Sequence, residues 1–369
     1  MARTFQFKSI LIIGVGLIGG SLALALKRKG YDGRILGIDE EDVLERARSR
    51  GALDQSFPRS RLTEAVAGAE LIFLCTPILE ILKLLQEISG HLRPGTLVTD
   101  VGSTKRRIVE AATLHLPSDC DFIGGHPMAG SEFRGIDAAD PFLFENTTYV
   151  LTPVRPIGEK VRMEFGELLE LTGAKVLLLL PALHDEIAAA VSHLPQMASV
   201  ALMNLVAGKR DESPHFIKMA AGGFRDMTRI ASSPYSVWED IHQTNADMIT
   251  LYIDAYISEL EKVKSKLRKP ELESYFQRSA ANRLSIPKDT KGFLRPQFDI
   301  SVSVEDRPGI IASIAGALAE RNINIKDIEI LKIREDEGGT LRLAFASDRD
   351  RESALGLLRD LGMECRRRD

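Results

Sequence analysis

The run Ser9–Ile13 is short and rich in β-branched residues, and it leads through Gly14-x-Gly16-x-x-Gly19 into a helix-forming stretch. Strand, glycine turn and helix in that order open a βαβ unit that cradles the pyrophosphate of a dinucleotide. Gly14 permits the tight turn, Gly16 lets a phosphate reach the backbone, and Gly19 lets helix and strand pack closely. Leu17 and Ile18, between the glycines, carry first-turn N–H groups that face the phosphates. Asp39 ends the next apolar run about twenty residues past the last glycine, where a carboxylate binds the ribose 2′-hydroxyl and repels a 2′-phosphate. The expected cofactor is therefore NAD rather than NADP.

Short apolar runs and helical patterns alternate to residue 156, with strands expected at Arg34–Asp39, Leu71–Cys75, Leu97–Asp100, Phe122–Gly124 and Thr148–Leu151. That alternation signals a doubly wound parallel sheet of the Rossmann type. Ligands lie outside the carboxyl ends of such strands, so the turns at Thr76, Pro77 and Ser103 are expected to border the cofactor. Ser103 can also cap the helix that follows. Residues 157–268 read as an all-α domain with long apolar faces in Ala182–Gly208 and Tyr235–Leu267, the strand-like Lys175–Leu180 being the main exception. Pro195 is expected to kink the first of these helices. Its apolar residues Ile187, Val191 and Leu205 imply burial on more than one side, in a helical domain shared with a second subunit. Residues 269–297 read as a linker with one short helix, and 298–369 as a βαββαβ, ferredoxin-like unit. The class is α/β.

A length of 369 residues exceeds what one core usually organises. A net charge of −4, without a basic stripe interleaved with aromatics, excludes nucleic acid as the expected partner and favours a small molecule. Three scattered cysteines with no CxxC suggest reduced thiols rather than a disulfide framework or a zinc site. The uncharged stretch Ile10–Leu26, after Arg3 and Lys8, resembles a secretion signal, but the nucleotide turn explains its four glycines better. The expected location is the cytoplasm, with no membrane association.

Two segments carry the chemistry. Gly124-Gly125-His126-Pro127-Met128-Ala129-Gly130-Ser131-Glu132 leaves a strand as a glycine-rich loop, and its histidine is placed to exchange a proton beside a nicotinamide. In Gly222-Gly223-Phe224-Arg225-Asp226-Met227-Thr228-Arg229-Ile230, Arg225 and Arg229 stand four apart, on one face if helical. Paired guanidinium forks suit a dianionic substrate.

These segments, with Asp-Val-Gly-Ser-Thr-Lys at 100–105 and Ser192-His193-Leu194-Pro195, resemble the prephenate/arogenate dehydrogenases. The C-terminal unit, with Asp306-Arg307-Pro308-Gly309 before its first helix, resembles an ACT regulatory domain. The resemblance implies that His126 is catalytic and bonds to the ring hydroxyl, with Ser103 orienting it and the nicotinamide. It implies that Arg229 binds a substrate carboxylate, with Arg225, Asp226 and Glu132 around the pocket mouth and Trp238 and His193 nearby. The resemblance implies an oxidative decarboxylation driven by aromatisation of the substrate ring, for which no metal is expected. Many relatives carry a second histidine after Ser-His-Leu-Pro where this chain has Gln196, which leaves prephenate and arogenate both open as substrate. Within the ACT unit, Pro308 is expected in the first helical turn and Gly309 beside it, where backbone N–H groups receive an amino-acid carboxylate. The ammonium group would find Asp306 or Asn324, and tyrosine is the expected effector of a homodimer.

Overall fold

The computed structural model describes residues 5–130, 133–153, 158–285, 298–305, 307–334 and 338–368, with backbone only at 331–334 and 338. The chain forms two compact units, Met1–Lys291 and Gly292–Asp369.

The first unit begins β1 (Ser9–Ile13), α1 (Leu17–Arg28), β2 (Arg34–Asp39), α2 (Glu41–Ser49), β3 (Gln55–Pro58), α3 (Leu62–Ala67), β4 (Leu71–Leu74) and α4 (Ile78–Ile88). It continues with β5 (Leu97–Asp100), α5 (Arg106–His115), β6 (Asp121–Pro127), β7 (Thr148–Pro153), α6 (Glu159–Leu171) and β8 (Lys175–Leu178). The helical part is α7 (Pro181–Ala188), α8 (Leu194–Ala207), α9 (His215–Lys218), α10 (Gly222–Thr228), α11 (Tyr235–Lys266) and α12 (Glu271–Ser285).

The eight strands form one sheet in the order β3-β2-β1-β4-β5-β6-β7-β8, in which β6 and β7 pair antiparallel and the other neighbours pair parallel. Side chains alternate across β1. Ile10 and Ile12 join one apolar layer with Leu22, Leu26 and Phe165, while Leu11 and Ile13 join the other with Leu84, Leu85 and Ile108. A strand covered on both faces needs an unbroken apolar run, which is what β1 has. Ile241 and Ile249 of α11 belong to the second layer, so the helical part packs on the face carrying α4 and α5.

Several expectations change. The short, partly polar β3 was not anticipated. The sheet does not end at 156, because α6 packs on it and β8 pairs with β7 from Thr148–Lys175 to Leu151–Leu178. A four-residue apolar run does not reveal locally whether it joins a sheet. The stretch read as a linker from 269 contains the 15-residue helix α12, longer than the short helix expected, and 286–297 lie outside the described residues. The apolar run from Pro181 to Ala207 is interrupted by a π-turn at Ala189–His193, just before Pro195. Pro195 cannot donate to the carbonyl four residues back, and the chain widens where that bond is missing. Ile187, Val191 and Leu205 are exposed in the single chain.

The second unit is β9 (Phe298–Val304), α13 (Ile310–Glu320), β10 (Ile325–Arg334), β11 (Gly338–Phe345), α14 (Asp348–Asp360) and β12 (Cys365–Arg368), with sheet order β10-β11-β9-β12. This is the ferredoxin-like βαββαβ unit expected. Ile300, Val302, Ile314, Leu318, Leu343 and Leu355 fill its core.

At the carboxyl end of β5, Asp100 and Lys105 form an ion pair with both side chains fully buried. Lys105 Nζ also donates to the Gly125 carbonyl at 2.6 Å, while Asp100 accepts the Gly102 amide at 2.8 Å and the Gly125 amide at 3.1 Å. The pair therefore ties β5, the turn after it and β6 to one another. Replacing Lys105 by Met should strand the Asp100 carboxylate in the interior and cost about 3–5 kcal/mol of unfolding free energy. Urea denaturation would measure the loss, and the double variant Asp100→Asn/Lys105→Met should recover part of it. A single variant as stable as the parent would contradict this account.

Candidate active site

The strand order reverses between β1 and β4, so the turns after these two strands flank a crevice at the switch point. Gly14 adopts φ 94°, its N–H donates to the Ile38 carbonyl at 2.9 Å, and a Cβ there would lie 2.7 Å from the Cys75 carbonyl carbon. At Gly19 an added Cβ would run into the Gly14 carbonyl oxygen, whereas at Gly16 it would meet only open space. Asp39 is braced on this turn: Oδ2 accepts the Val15 amide at 2.6 Å and Oδ1 the Glu40 amide at 2.8 Å. Thr76 abuts Gly14, and its buried Oγ1 has no hydrogen-bond partner among the described residues. Exposed Pro77 precedes α4, and half-buried Ser103 lies in the turn after β5. Ser103 does not cap α5, whose N-cap position is Lys105.

Helix N-termini attract anions, and here two of them are already answered by the protein. Asp240 of α11 accepts the Leu79 amide of α4 at 3.0 Å, and Asp185 of α7 accepts the Lys105 and Arg106 amides at the start of α5 at 2.6 and 2.9 Å. The first amides of α1 have no side-chain cap, and half-buried Leu17 and Ile18 stand there. An open glycine turn, an uncapped helix start, a carboxylate at the end of β2 beside that turn and an orphaned buried hydroxyl fit a dinucleotide.

His126 stands half-buried near the end of β6. Its Nδ1 lies 2.8 Å from His184 Nε2, and His184 Nδ1 lies 2.8 Å from Asp185 Oδ1. The guanidinium of Arg106 also reaches Asp185, at 3.3 Å. Fully buried Asn245 interrupts α11 with φ −139°; its Oδ1 accepts from Arg106 at 2.9 Å and its Nδ2 donates to the Asp185 carbonyl at 2.9 Å. The same Nδ2 faces His193 Nδ1 at 3.3 Å, so His193 accepts there and keeps its own N–H on Nε2. The His193 ring meets Trp238 edge-on at 5.9 Å. Gln196, one turn after His193, is buried with it, and the nearby Trp238 Nε1 and Ser199 Oγ are buried without partners among the described residues.

Burial is the largest influence on His126 and pushes its pKa well below the ordinary imidazole value, with His184, Lys105 and His193 acting in the same direction. Burial also pushes His193 down to about 4, opposed by Asp185 and reinforced by His184 and His242. For Asp185 burial acts upward, but the His184 hydrogen bond and the Arg106 and Lys105 amides outweigh it and hold the carboxyl below its usual range. The cluster thus contains neutral imidazoles backed by an ionised carboxylate.

Arg225 and Asp226 are exposed on α10, and Arg229 is exposed on the turn Arg229–Ser232 packed against α8. They occupy the solvent-facing edge of the helical layer. Glu132 lies outside the described residues. The residues that sequence reasoning missed are His184, Asp185, Asn245 and Lys105. Adjacent ionisable residues at the head of an otherwise apolar helix, as in His184-Asp185, were the available signal.

In the second unit, Gly309 is the N-cap of α13 at φ 88°, so Pro308 precedes the helix instead of standing in its first turn. Asn324 directly precedes β10 and therefore follows the far end of α13. Eleven helical residues, about 16 Å, separate it from Gly309, so within one unit the two cannot hold the same amino acid. Asp306 lies outside the described residues.

The chain matches three family models: the nucleotide-binding domain of prephenate dehydrogenase over residues 22–178, its dimerization domain over 180–279, and the ACT domain over 298–362. It is 37% identical to the prephenate dehydrogenase of Bacillus subtilis (strain 168), covering 94% of each chain. Among solved structures it is similar to a Synechocystis arogenate dehydrogenase, with TM-score 0.67, 35% identity and coverage of 74% of this chain and 98% of that one. It is also similar to an A. aeolicus prephenate dehydrogenase in complex with hydroxyphenyl propionate and NAD+, with TM-score 0.71, 28% identity and coverage of 77% and 100%.

The depressed pKa of His193 sets a pH dependence of stability. Above about pH 6.5 the residue is neutral in the folded and unfolded chains alike. Between 6.5 and about 4 the unfolded chain takes up a proton that the folded chain refuses, so stability falls as pH falls through that window. The loss should be on the order of 3 kcal/mol across it. Urea midpoints at pH 7.5, 5.5 and 4.5 should decline in the parent and decline less in His193→Gln. Equal slopes would exclude His193 as a source of the decline.

Proposed function

From the premise that this chain belongs to the prephenate dehydrogenase family, we propose that it catalyses the oxidative decarboxylation of prephenate to 4-hydroxyphenylpyruvate with NAD, a step of tyrosine biosynthesis. The observation that carries this reading is the placement of His126 at the carboxyl end of β6, in the same sheet as the open glycine turn, where burial holds its pKa well below the ordinary imidazole value.

NAD, when bound, supplies the hydride acceptor. Gly14, Gly16 and Gly19 with the first amides of α1 would hold its pyrophosphate and Asp39 its ribose, with Thr76 and Ser103 beside it. His126 receives the C4 hydroxyl proton as the C4 hydrogen departs with its electron pair. The bond from C1 to its carboxylate then breaks, CO2 leaves, and the released pair completes the aromatic ring. The proton returns from His126 to the phenolic oxygen, so the enzyme ends as it began. Arg229, seconded by Arg225, pairs with a substrate carboxylate, while the Nε2–H of His193 supplies a neutral donor within the helical layer.

Arogenate is the second reading, and Gln196 is what favours it. A buried amide at that position offers neutral donors and acceptors where many relatives carry a histidine. Comparing kcat/KM for the two substrates separates the readings.

Two copies of the chain form the working enzyme in this reading, each covering the exposed Ile187, Val191 and Leu205 of the other. A cytoplasmic location suits its three unpaired thiols.

His126→Asn should lower kcat by about 10²–10⁴ with little change in KM, and the acidic limb of the kcat/KM profile should disappear. Near-parental kcat in that variant removes His126 from the mechanism. Tyrosine should inhibit by binding the 298–369 unit, with Gly309 of one copy and Asn324 of another sharing the ligand. A truncation ending at Lys291 should then lose the inhibition. If it is inhibited as strongly as the full chain, tyrosine acts elsewhere.

A further inference from the structure

We propose that His184 and Asp185 are positioning residues that fix His126 as its Nδ1–H tautomer, leaving Nε2 bare to receive the substrate proton. The inference rests on the reading of His126 as proton acceptor, and it assigns work to two residues that the reaction itself does not touch.

The argument runs from the carboxylate outward. Asp185 is completely buried and faces four donors: the Lys105 and Arg106 amides, the Arg106 guanidinium and His184 Nδ1. An ionised carboxylate has no proton to give, so the 2.8 Å contact with His184 requires the hydrogen on His184 Nδ1. A neutral imidazole carries one N–H, and the Nε2 of His184 is then an acceptor. The 2.8 Å contact from that Nε2 to His126 Nδ1 is attractive only if His126 supplies the hydrogen. His126 Nε2 is thereby left with a free lone pair. A ring-flipped or Nε2–H His126 would leave the buried Nε2 of His184 unpaired, a penalty that keeps the alternative tautomer rare.

The relay is also held in space. His184 is 3% exposed, and Asp185 is anchored by the start of α5 and, through its own carbonyl, by Asn245 in α11. Three elements therefore converge on the orientation of one ring. Outer partners of this kind typically change activity 10- to 100-fold when removed from a ligating histidine.

The test begins with the unaltered protein. Labelled with 15N-histidine at pH 8, it should give His126 a pyrrole-type Nδ1 and a pyridine-type Nε2, the resonances being assigned by their loss in His126→Asn. The opposite assignment, in which a doubly protonated His184 donates to His126, overturns the proposal whatever the variants do. His184→Leu should then lower kcat about 10- to 100-fold while KM for prephenate and for NAD stays within about threefold. His184→Gln, whose amide can accept from His126 and donate to Asp185, should recover most of the loss. A Leu variant at parental kcat, or a well-folded Gln variant as slow as the Leu variant, equally overturns it. Should His126→Asn keep full activity, the assignment of His126 itself has failed. An inactive His126→Asn together with an Nε2–H His126 in the parent would refute only the relay.

Discussion

The carboxylate of Asp185 is the joint on which the active half of this molecule turns. It sits in α7, yet its partners are the first amides of α5, the guanidinium of Arg106 and the ring of His184. A buried carboxylate is tolerable only if its lone pairs are filled, so the helical layer must dock where those donors are. The same contacts tie α7 to the start of α5 and, through His184, to His126. Asn245 completes the joint by giving up helical geometry in α11 to bond Arg106 and the Asp185 carbonyl.

Answering a helix N-terminus with a protein carboxylate has a second effect. In a doubly wound sheet several helices start at the same rim and each could attract an anion. Asp185 and Asp240 satisfy α5 and α4 from the helical layer, whereas the first amides of α1 carry no side-chain cap. That difference leaves the start of α1 open to an anion where the starts of α4 and α5 are already answered. The buried Asp100–Lys105 pair then holds the β5 and β6 turns together.

Burying imidazoles at such a rim has a cost and a use. His126 and His193 lose the solvation that would favour protonation, which lowers the stability expected on the acidic side. The use is that a neutral ring near physiological pH is competent to accept a proton. Among the described residues, Trp238 Nε1 and Ser199 Oγ are further buried polar groups without a hydrogen-bond partner.

The sequence by itself determined what depends on local sterics and hydrogen-bond periodicity. The glycine turn with its neighbouring strands, the apolar helices and the βαββαβ order are all of that kind, because each is specified by residues within a few positions of one another. The loop expected at His126 is instead strand, because β6 runs Asp121–Pro127 with His126 opposite Val150 of β7, a partner the local sequence does not reveal. The tertiary structure decided what depends on distant partners. His184 lies 58 positions from His126, and Asp185 lies 80 from the amide of Lys105. No periodicity records such contacts. Membership of β8 in the sheet and the bend at Asn245 arise in the same way, from packing that exists only once the chain has closed on itself.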